Sequence, residues 1–514
     1  MLRRLLVVLS LAAAPLGAQR SDSSATLQPV VVTATRIPTP VTSLTQPATV
    51  LSGDALRGRG VTTVADALRE IPGAAVVRGG SYGAVTSLFL RGGESRYTKV
   101  LVDGVPVNQV GGTFFWQNLT LDNVDRIEVV EGPSSALYGA DAMSGVVQIF
   151  TKRGVPGRAV DAELRAGSYD GRDATLALRG GTERATYSLG GGWHSTSGIA
   201  SFNNAYTDGD LSGAATFTPD ARSSLSLTSR YSASLFHYPT DYAGVVSDTN
   251  SYTRQHRLVV GLDASRALTD RVTLRVIGAD NEVHDLSEDT QPGYGATPSL
   301  VKSSAPTDGY RRSGEARLES RVPVLGTLTL GAQYQREAER LRTITRTYTT
   351  TPESVTPDTA PGSDDYRITR GAYVAVQGAP LAWLAYDASA RYDTHSDFKG
   401  IATYHGGASV GLWRGGRVRA SYGTGFNAPA FYETQGSAYN RGNASLQPEQ
   451  VHALDVGVEQ SLLGGRVRAS AGAFDQRFSQ LIQYVAGTNS GPPNYTPITP
   501  AYYDNLTQAR SRGY

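Results

Sequence analysis

Histidine is the side chain most readily put to acid–base or metal chemistry near neutral pH, and the chain has seven of them. They are scattered. No HExxH pair is present to hold a zinc ion, and no Ser, His and Asp fall at a spacing that argues for a nucleophilic triad. His194, His237 and His405 therefore read as residues of a lumen or interface rather than as metal ligands. The chain of 514 residues contains no Cys, which excludes thiol catalysis and thiolate-held metals. The GRG at Gly58 lacks the strand and helix setting of a phosphate-cradling loop. A net charge of +2, from 48 basic and 46 acidic residues, supplies no field for nucleic acid. The residue types argue against an enzyme, which remains only an alternative from another functional class.

The elements that must position any site are more informative. Arg3 and Arg4 precede the apolar run Leu5 to Ala14, with Gly17 and Ala18 near a cleavage point, as in an export signal over residues 1–18. Cleavage after Ala14 is the other option. No later segment reaches the roughly 20 apolar residues that a spanning helix needs, so an exported chain that enters a membrane must do so as a closed barrel. The second half supports this. Leu225, Leu227, Tyr231, Ala233 and Leu235 alternate with Ser226, Thr228, Arg230, Ser232 and Ser234, which aims Arg230 into a lumen. Leu384, Tyr386, Ala388, Ala390 and Tyr392 alternate with polar residues in the same way, with tyrosines suited to two interfacial girdles. Tight turns at Pro219–Ala221, Thr269–Asp270, Gly415–Gly416 and Gly464–Gly465 alternate with long polar connections at 195–208, 236–250, 286–306, 341–366, 424–447 and 485–500. Short turns at one end and long loops at the other are the outer-membrane arrangement.

The segment before the barrel has a different texture. Val64 to Glu70 has helical spacing and stops at Ile71, Pro72 and Gly73. Ser87–Leu90, Lys99–Asp103, Asp125–Val130 and Val146–Phe150 are short runs bounded by Gly or Pro, as buried strands are. Asp103 and Gly104 supply the positive φ values of a type I′ hairpin turn. Val30 to Thr35 is β-branched but isolated beside Pro38, Pro40 and Pro47, which makes it an available edge strand.

Five pieces of sequence then occur in order: PVVVTATR from Pro29, IPGAAV from Ile71, SLFLRG from Ser87, VLVDGVPVN from Val100 and DRIEVVEGPSSALYGADAMSGVVQIFTKR from Asp125. Together they resemble the plug of the TonB-dependent outer-membrane receptors. The resemblance implies an all-β transmembrane antiparallel β-barrel with an N-terminal α+β plug in its lumen. Its divisions would be a signal peptide over 1–18, a periplasmic segment over 19–40, a plug over 41–153 and a barrel over 154–514. Pro29, Val30, Val31, Val32, Thr33 and Ala34 would be the TonB box, captured by TonB and its inner-membrane energy-coupling proteins through strand addition. Arg91, Arg126, Glu128 and Glu131 would dock the plug against the lumen wall.

RGGESRYTKVLVDGVPVN from Arg91 is similar to the cobalamin (vitamin B12) receptors of that family, which implies active import of a corrinoid; a ferric siderophore or other metal chelate is the alternative. The apical plug residues Ser81, Tyr82, Gly83, Glu94, Ser95, Asn108, Gln109, Phe114, Phe115 and Trp116 would contact the solute. No cofactor is required. Calcium could still be taken up by the loop carboxylates Asp208, Asp210, Asp241 and Asp248, since hard cations seek several oxygens, with simple solvated acids as the other reading. About 16 strand-like segments follow Arg153 where the family has about 22, and the chain is expected to be cut short at its C-terminus, an outer-membrane barrel enzyme or an inactive truncated barrel being the further alternatives.

Overall fold

The computed structural model describes residues 30–240, 245–292, 299–350, 353–436, 440–463, 467–489 and 497–514. The signal over 1–18, Pro29 of the box, Asp241 and the Gly464–Gly465 turn lie outside the described residues.

Sixteen strands from Gly157–Gly167 to Tyr502–Gly513 form one antiparallel sheet in which spatial order follows chain order. The wall is thus built from consecutive hairpins, and alternation along each strand sets what each face presents. Leu225, Leu227 and Tyr231 are exposed on the outer face, while Thr228, Arg230, Ser232 and Ser234 are buried on the inner one. In Leu384–His395, Tyr392 faces out while Ser389, Arg391 and Asp393 face in. No helix among the described residues is long and apolar enough to cross a membrane. The strands are the spanning elements.

Two of the expected long loops are strands. Val272–Pro292, Ser299–Val322, Gly326–Thr350 and Glu353–Leu381 pair in register far beyond the span that lipid requires, so the described parts of those loops, 286–292, 299–306, 341–350 and 353–366, are ribbon extensions of the wall. Their polar composition suited a loop, but polar side chains on both faces are equally compatible with a strand pair standing in water.

The plug is a five-stranded sheet in the order Ala48–Ser52, Val124–Glu131, Gly145–Thr151, Thr98–Val102, Val105–Pro106, with a separate hairpin of Ala74–Arg78 and Thr86–Leu90. The hairpin turn at Asp103 and Gly104 has φ of 50° and 88°, as a type I′ turn demands. The expected helix is present over Val64–Leu68, with the Thr63 side chain capping Asp66 N. Three short helices escaped the pattern, Gly53–Gly58, Ser135–Tyr138 and Phe431–Thr434, each too short to show a helical period. The plug core gathers Leu56, Val64, Leu68, Leu88, Val100, Trp116, Ile127 and Val147, all at most 1% exposed.

Candidate functional site

At the end of the wall that carries the longer connections, a cavity of about 490 Å³ opens between plug and strands. Arg78, Ser81 and Tyr82 line it from the plug, and Tyr169, Ile199 and Tyr206 from the wall. Tyr82 is exposed and stacks under the Arg78 guanidinium, whose carbon lies 5.0 Å from the ring centroid. Aromatic faces and a cation around a concave space suit a flat, polar-edged solute.

The other apical candidates divide. Glu94 is exposed and pairs with Arg96 at 3.1 Å. Gln109 donates to Asp285 on the wall at 2.8 Å. Phe115 is half-buried beside Arg230 and Arg257 in a small gap. Gly83 is packed so closely that a methyl group there would meet the rings of Tyr206 and Phe236. Asn108, Phe114 and Trp116 are corrections to the sequence reading. Asn108 is fully buried and ties Val100 N, Thr98 O and Gly112 O together, while Phe114 and Trp116 meet edge to face in the core. Ser95 Oγ accepts from Leu88 N inside the plug. An apolar aromatic run in a loop reads alike whether the loop lines a pocket or folds inward.

The N-terminal segment is not the free edge strand its sequence suggested. Val31 and Thr33 are buried, and Val31, Ala34 and Leu44 pack on Val130. Glu128 Oε2 accepts from Val32 N, Thr33 N and Thr33 Oγ1 at 2.9, 2.9 and 2.7 Å. Tyr138 donates its hydroxyl to Thr33 O at 2.8 Å, and Arg36 reaches Glu315 on the wall at 2.8 Å. A β-branched run with few local partners was stabilised by a carboxylate nearly a hundred residues away, which local pattern could not reveal. Glu128 therefore pins this segment and does not reach the wall. Arg126 likewise stays within the plug, paired with Glu128 and Asp125 and stacked on Phe150.

Contacts between plug and wall run through other charges. Arg91 bridges Glu131 in the plug, at 2.9 Å, and Asp455 in the wall. Arg96 holds Glu433 and Glu449 at 2.8 and 2.9 Å. Asp141 Oδ2 takes Arg311 at 2.6 Å, and Arg311 continues to Glu337 at 2.5 Å. Arg230, as its alternation required, points inward and donates to Asp122 O and Thr120 Oγ1. The sequence signal for these partners is the recurrence of Arg and Glu on the inward phase of successive strands. Of the four loop acids, Asp208 and Asp210 lie inside the strand Tyr206–Asp220 and face inward, so they are not loop residues. Asp248 accepts from Asn250 N and Ser251 N and so closes its own turn. His194 and His405 are buried against carboxylates, Asp122 and Asp387, and His237 meets Asn203.

The family model described as TonB-dependent Receptor Plug Domain matches residues 40–146, and that described as TonB dependent receptor-like, beta-barrel matches residues 161–514. The chain belongs to the TonB-dependent receptor family. The vitamin B12 transporter BtuB of Vibrio vulnificus (strain CMCP6) is 24% identical over 466 residues, covering 89% of this chain and 72% of that protein. Among solved structures, the ferripyoverdine receptor of Pseudomonas aeruginosa superposes with a TM-score of 0.72 at 18% identity, covering 94% of this chain and 69% of that one. The siderophore receptor PirA of Acinetobacter baumannii gives 0.69 at 16% identity, covering 92% and 77%. Barrels of this family are outer-membrane proteins, and its members are receptors and transporters.

In this TonB-dependent receptor one plug cation sits in an unfavourable place. Lys99 is buried, its Nζ donating to Ala140 O at 2.9 Å and lying 3.7 Å from Asp141, a carboxylate already claimed by Arg311. Burial pushes the Lys99 ammonium down to about 8, with Arg311 adding repulsion and Asp141 opposing both. Between about pH 8 and 10.5 the unfolded chain keeps this proton while the folded one has lost it, so stability rises with pH across that window. The gain is at most about 3 kcal/mol. Unfolding free energies measured from pH 7 to 11 should show this rise in the wild type and lack it in Lys99→Met.

Proposed function

We propose that this receptor imports a scarce solute across the outer membrane, with TonB supplying the pull and a corrinoid of the cobalamin type as the favoured cargo. The observation that carries the reading is the arrangement along one axis. An aromatic and cationic cavity lies at the loop end, the plug fills the path below it, and a pinned β-branched segment lies on the plug's far side. Solute enters from the loop end and contacts Ser81 and Tyr82. Strand addition to the box, once Glu128 releases it, would transmit force to the plug through main-chain hydrogen bonds. The similarity to a vitamin B12 transporter supports the corrinoid, and ferric chelates are the competing cargo.

Two measurements test this. Equilibrium binding of cobalamins against ferric chelates separates the cargo classes. Replacing Val31 or Val32 with Pro removes a donor from the pairing strand. Solute binding should survive this change while energised uptake stops, and unimpaired uptake would defeat the TonB-driven reading.

A further inference from the structure

A run of glycines brings one plug carboxylate against the wall. Gly190, Gly191 and Gly192 precede Trp193 and His194 on Ala185–Thr196. A methyl group at Gly192 would sit 2.1 Å from Asp122 Oδ2, and one at Gly190 would sit 2.6 Å from Asn123 Cγ. Glycine inside a strand is the usual mark of such an approach. On the next strand Asp208 stands opposite His194 and Asp210 opposite Gly192. The period of two then places both carboxylates on the same inward face.

His194 Nε2 lies 2.5 Å from Asp122 Oδ2, and its Nδ1 lies 2.7 Å from Asp173 Oδ1. Asp210 Oδ1 accepts from Thr120 Oγ1 at 3.1 Å, and its Oδ2 is 3.3 Å from Arg230. Ligand atoms of Asp122, His194 and Asp210 all fall within 4.8 Å of one another, and all three residues are buried. Asp208 is 0% exposed, and neither of its carboxylate oxygens has a close hydrogen-bond partner among the described residues. The hydroxyl of Tyr206, two positions back on the same face, faces Gln117 O and Asn118 Oδ1 at 3.3 and 3.4 Å, with Asp208 as a further, looser partner.

Three carboxylates here face one guanidinium, Arg230, and one imidazole that donates from both ring nitrogens, so an excess of negative charge remains even with His194 protonated and grows when it gives up a proton. Each uncompensated buried ion costs several kcal/mol, and a divalent cation cancels the excess. Asp173 holds Nδ1–H, and Nε2 donates to Asp122; when an ion displaces that second proton, the Nε2 lone pair is left turned toward the carboxylates. This is the orienting role a carboxylate plays behind a metal-bound histidine.

We propose that Asp122, His194 and Asp210, with the Asp208 carboxylate close by, form a site for a divalent transition-metal ion of the zinc class, which staples the plug to the wall. One imidazole nitrogen with carboxylate oxygens at about 2.0–2.2 Å is a donor set zinc accepts. Calcium, which takes about six to eight oxygens, is served less well. Admitting the ion needs Nε2 and Oδ2 to part to about 3.4 Å, the edge of a tetrahedron with such bonds. The site borders the cavity offered for the solute, which His194 and Asp173 also line, but the ion requires neither solute nor TonB.

The test uses the full chain folded in detergent, dialysed against Zn²⁺ and separately against Co²⁺, with metal content and cobalt visible absorption as readouts. One ion per chain and a cobalt ligand-field band are expected. His194→Ala and Asp210→Asn should each weaken Zn²⁺ binding by about tenfold or more and remove the band. Should His194→Ala fail to fold, the nearly isosteric Asp210→Asn decides alone. Undiminished Zn²⁺ binding in the variants would place the ions elsewhere and overturn the proposal. So would a wild type that retains no Zn²⁺ or Co²⁺, which would make the cluster an ion pair held by a proton.

Discussion

Replacing Arg91 with alanine is expected to destabilise the seated plug by about 3–5 kcal/mol, because two buried carboxylates then lose their shared cation. Arg91 is 6% exposed, and its fork divides between Glu131 on the plug and Asp455 on the wall, with the guanidinium carbon 4.8 Å from the centroid of Phe474. Burial already pushes the Glu131 carboxyl above the usual range, against the pull of Arg91. Lysine should not rescue the site, since a point charge cannot serve two carboxylates and stack on a ring at once. Replacing all three charges by apolar residues, as Arg91→Met with Glu131→Leu and Asp455→Leu, should recover much of the loss, because the cost lies in leaving charges unpaired. Denaturant unfolding of the four proteins measures this. A loss of less than about 1 kcal/mol in Arg91→Ala would show the bridge to be solvated in practice.

The second large effect is expected at Glu128. Its Oε2 accepts three hydrogen bonds from Val32 and Thr33, and hydrogen bonds to a charged acceptor contribute about 1.5–3 kcal/mol each. Their loss is partly offset where the freed donors reach water. A net change of about 3 kcal/mol in Glu128→Ala corresponds to roughly a hundredfold increase in the released state of the segment. Limited proteolysis at Arg36 reads that population directly, since the site is held by Leu137 O and Glu315 while the segment is docked. Glu128→Gln retains a neutral acceptor and should fall between. Arg126 loses one partner in both variants but keeps Asp125 and is partly exposed, so its contribution is minor. Equal cleavage rates in all three proteins would show that packing of Val31 and Ala34, not the carboxylate, holds the segment.

The contrast between Arg230 and Asn108 shows where sequence reasoning worked. Arg230 was placed in the lumen by the strand period alone, and it is there. Asn108 sits in a motif shared with receptor plugs and looked like a solute contact, yet its amide is consumed by three backbone groups. A period reports the face a side chain occupies, whereas the function of a polar group depends on what the chain folds against it. The glycine run before His194 is an intermediate case. It signalled a close approach, but not that Asp122 was the group approaching.

Alternation along the strands, the Asp-Gly hairpin and the Gly-bounded plug strands were enough to expect a small mixed unit followed by a β wall, and the ordered motifs carried the resemblance to the TonB-dependent receptors. Those features are local, and backbone geometry makes them legible residue by residue. The tertiary structure alone decided that Glu128 holds the N-terminal segment, that Arg91 joins plug to wall, and that Asp208 and Asp210 turn inward beside His194. Each brings a charged side chain against a partner on a separate chain segment, and the energy of such a contact depends on distance and burial, which only the folded chain sets.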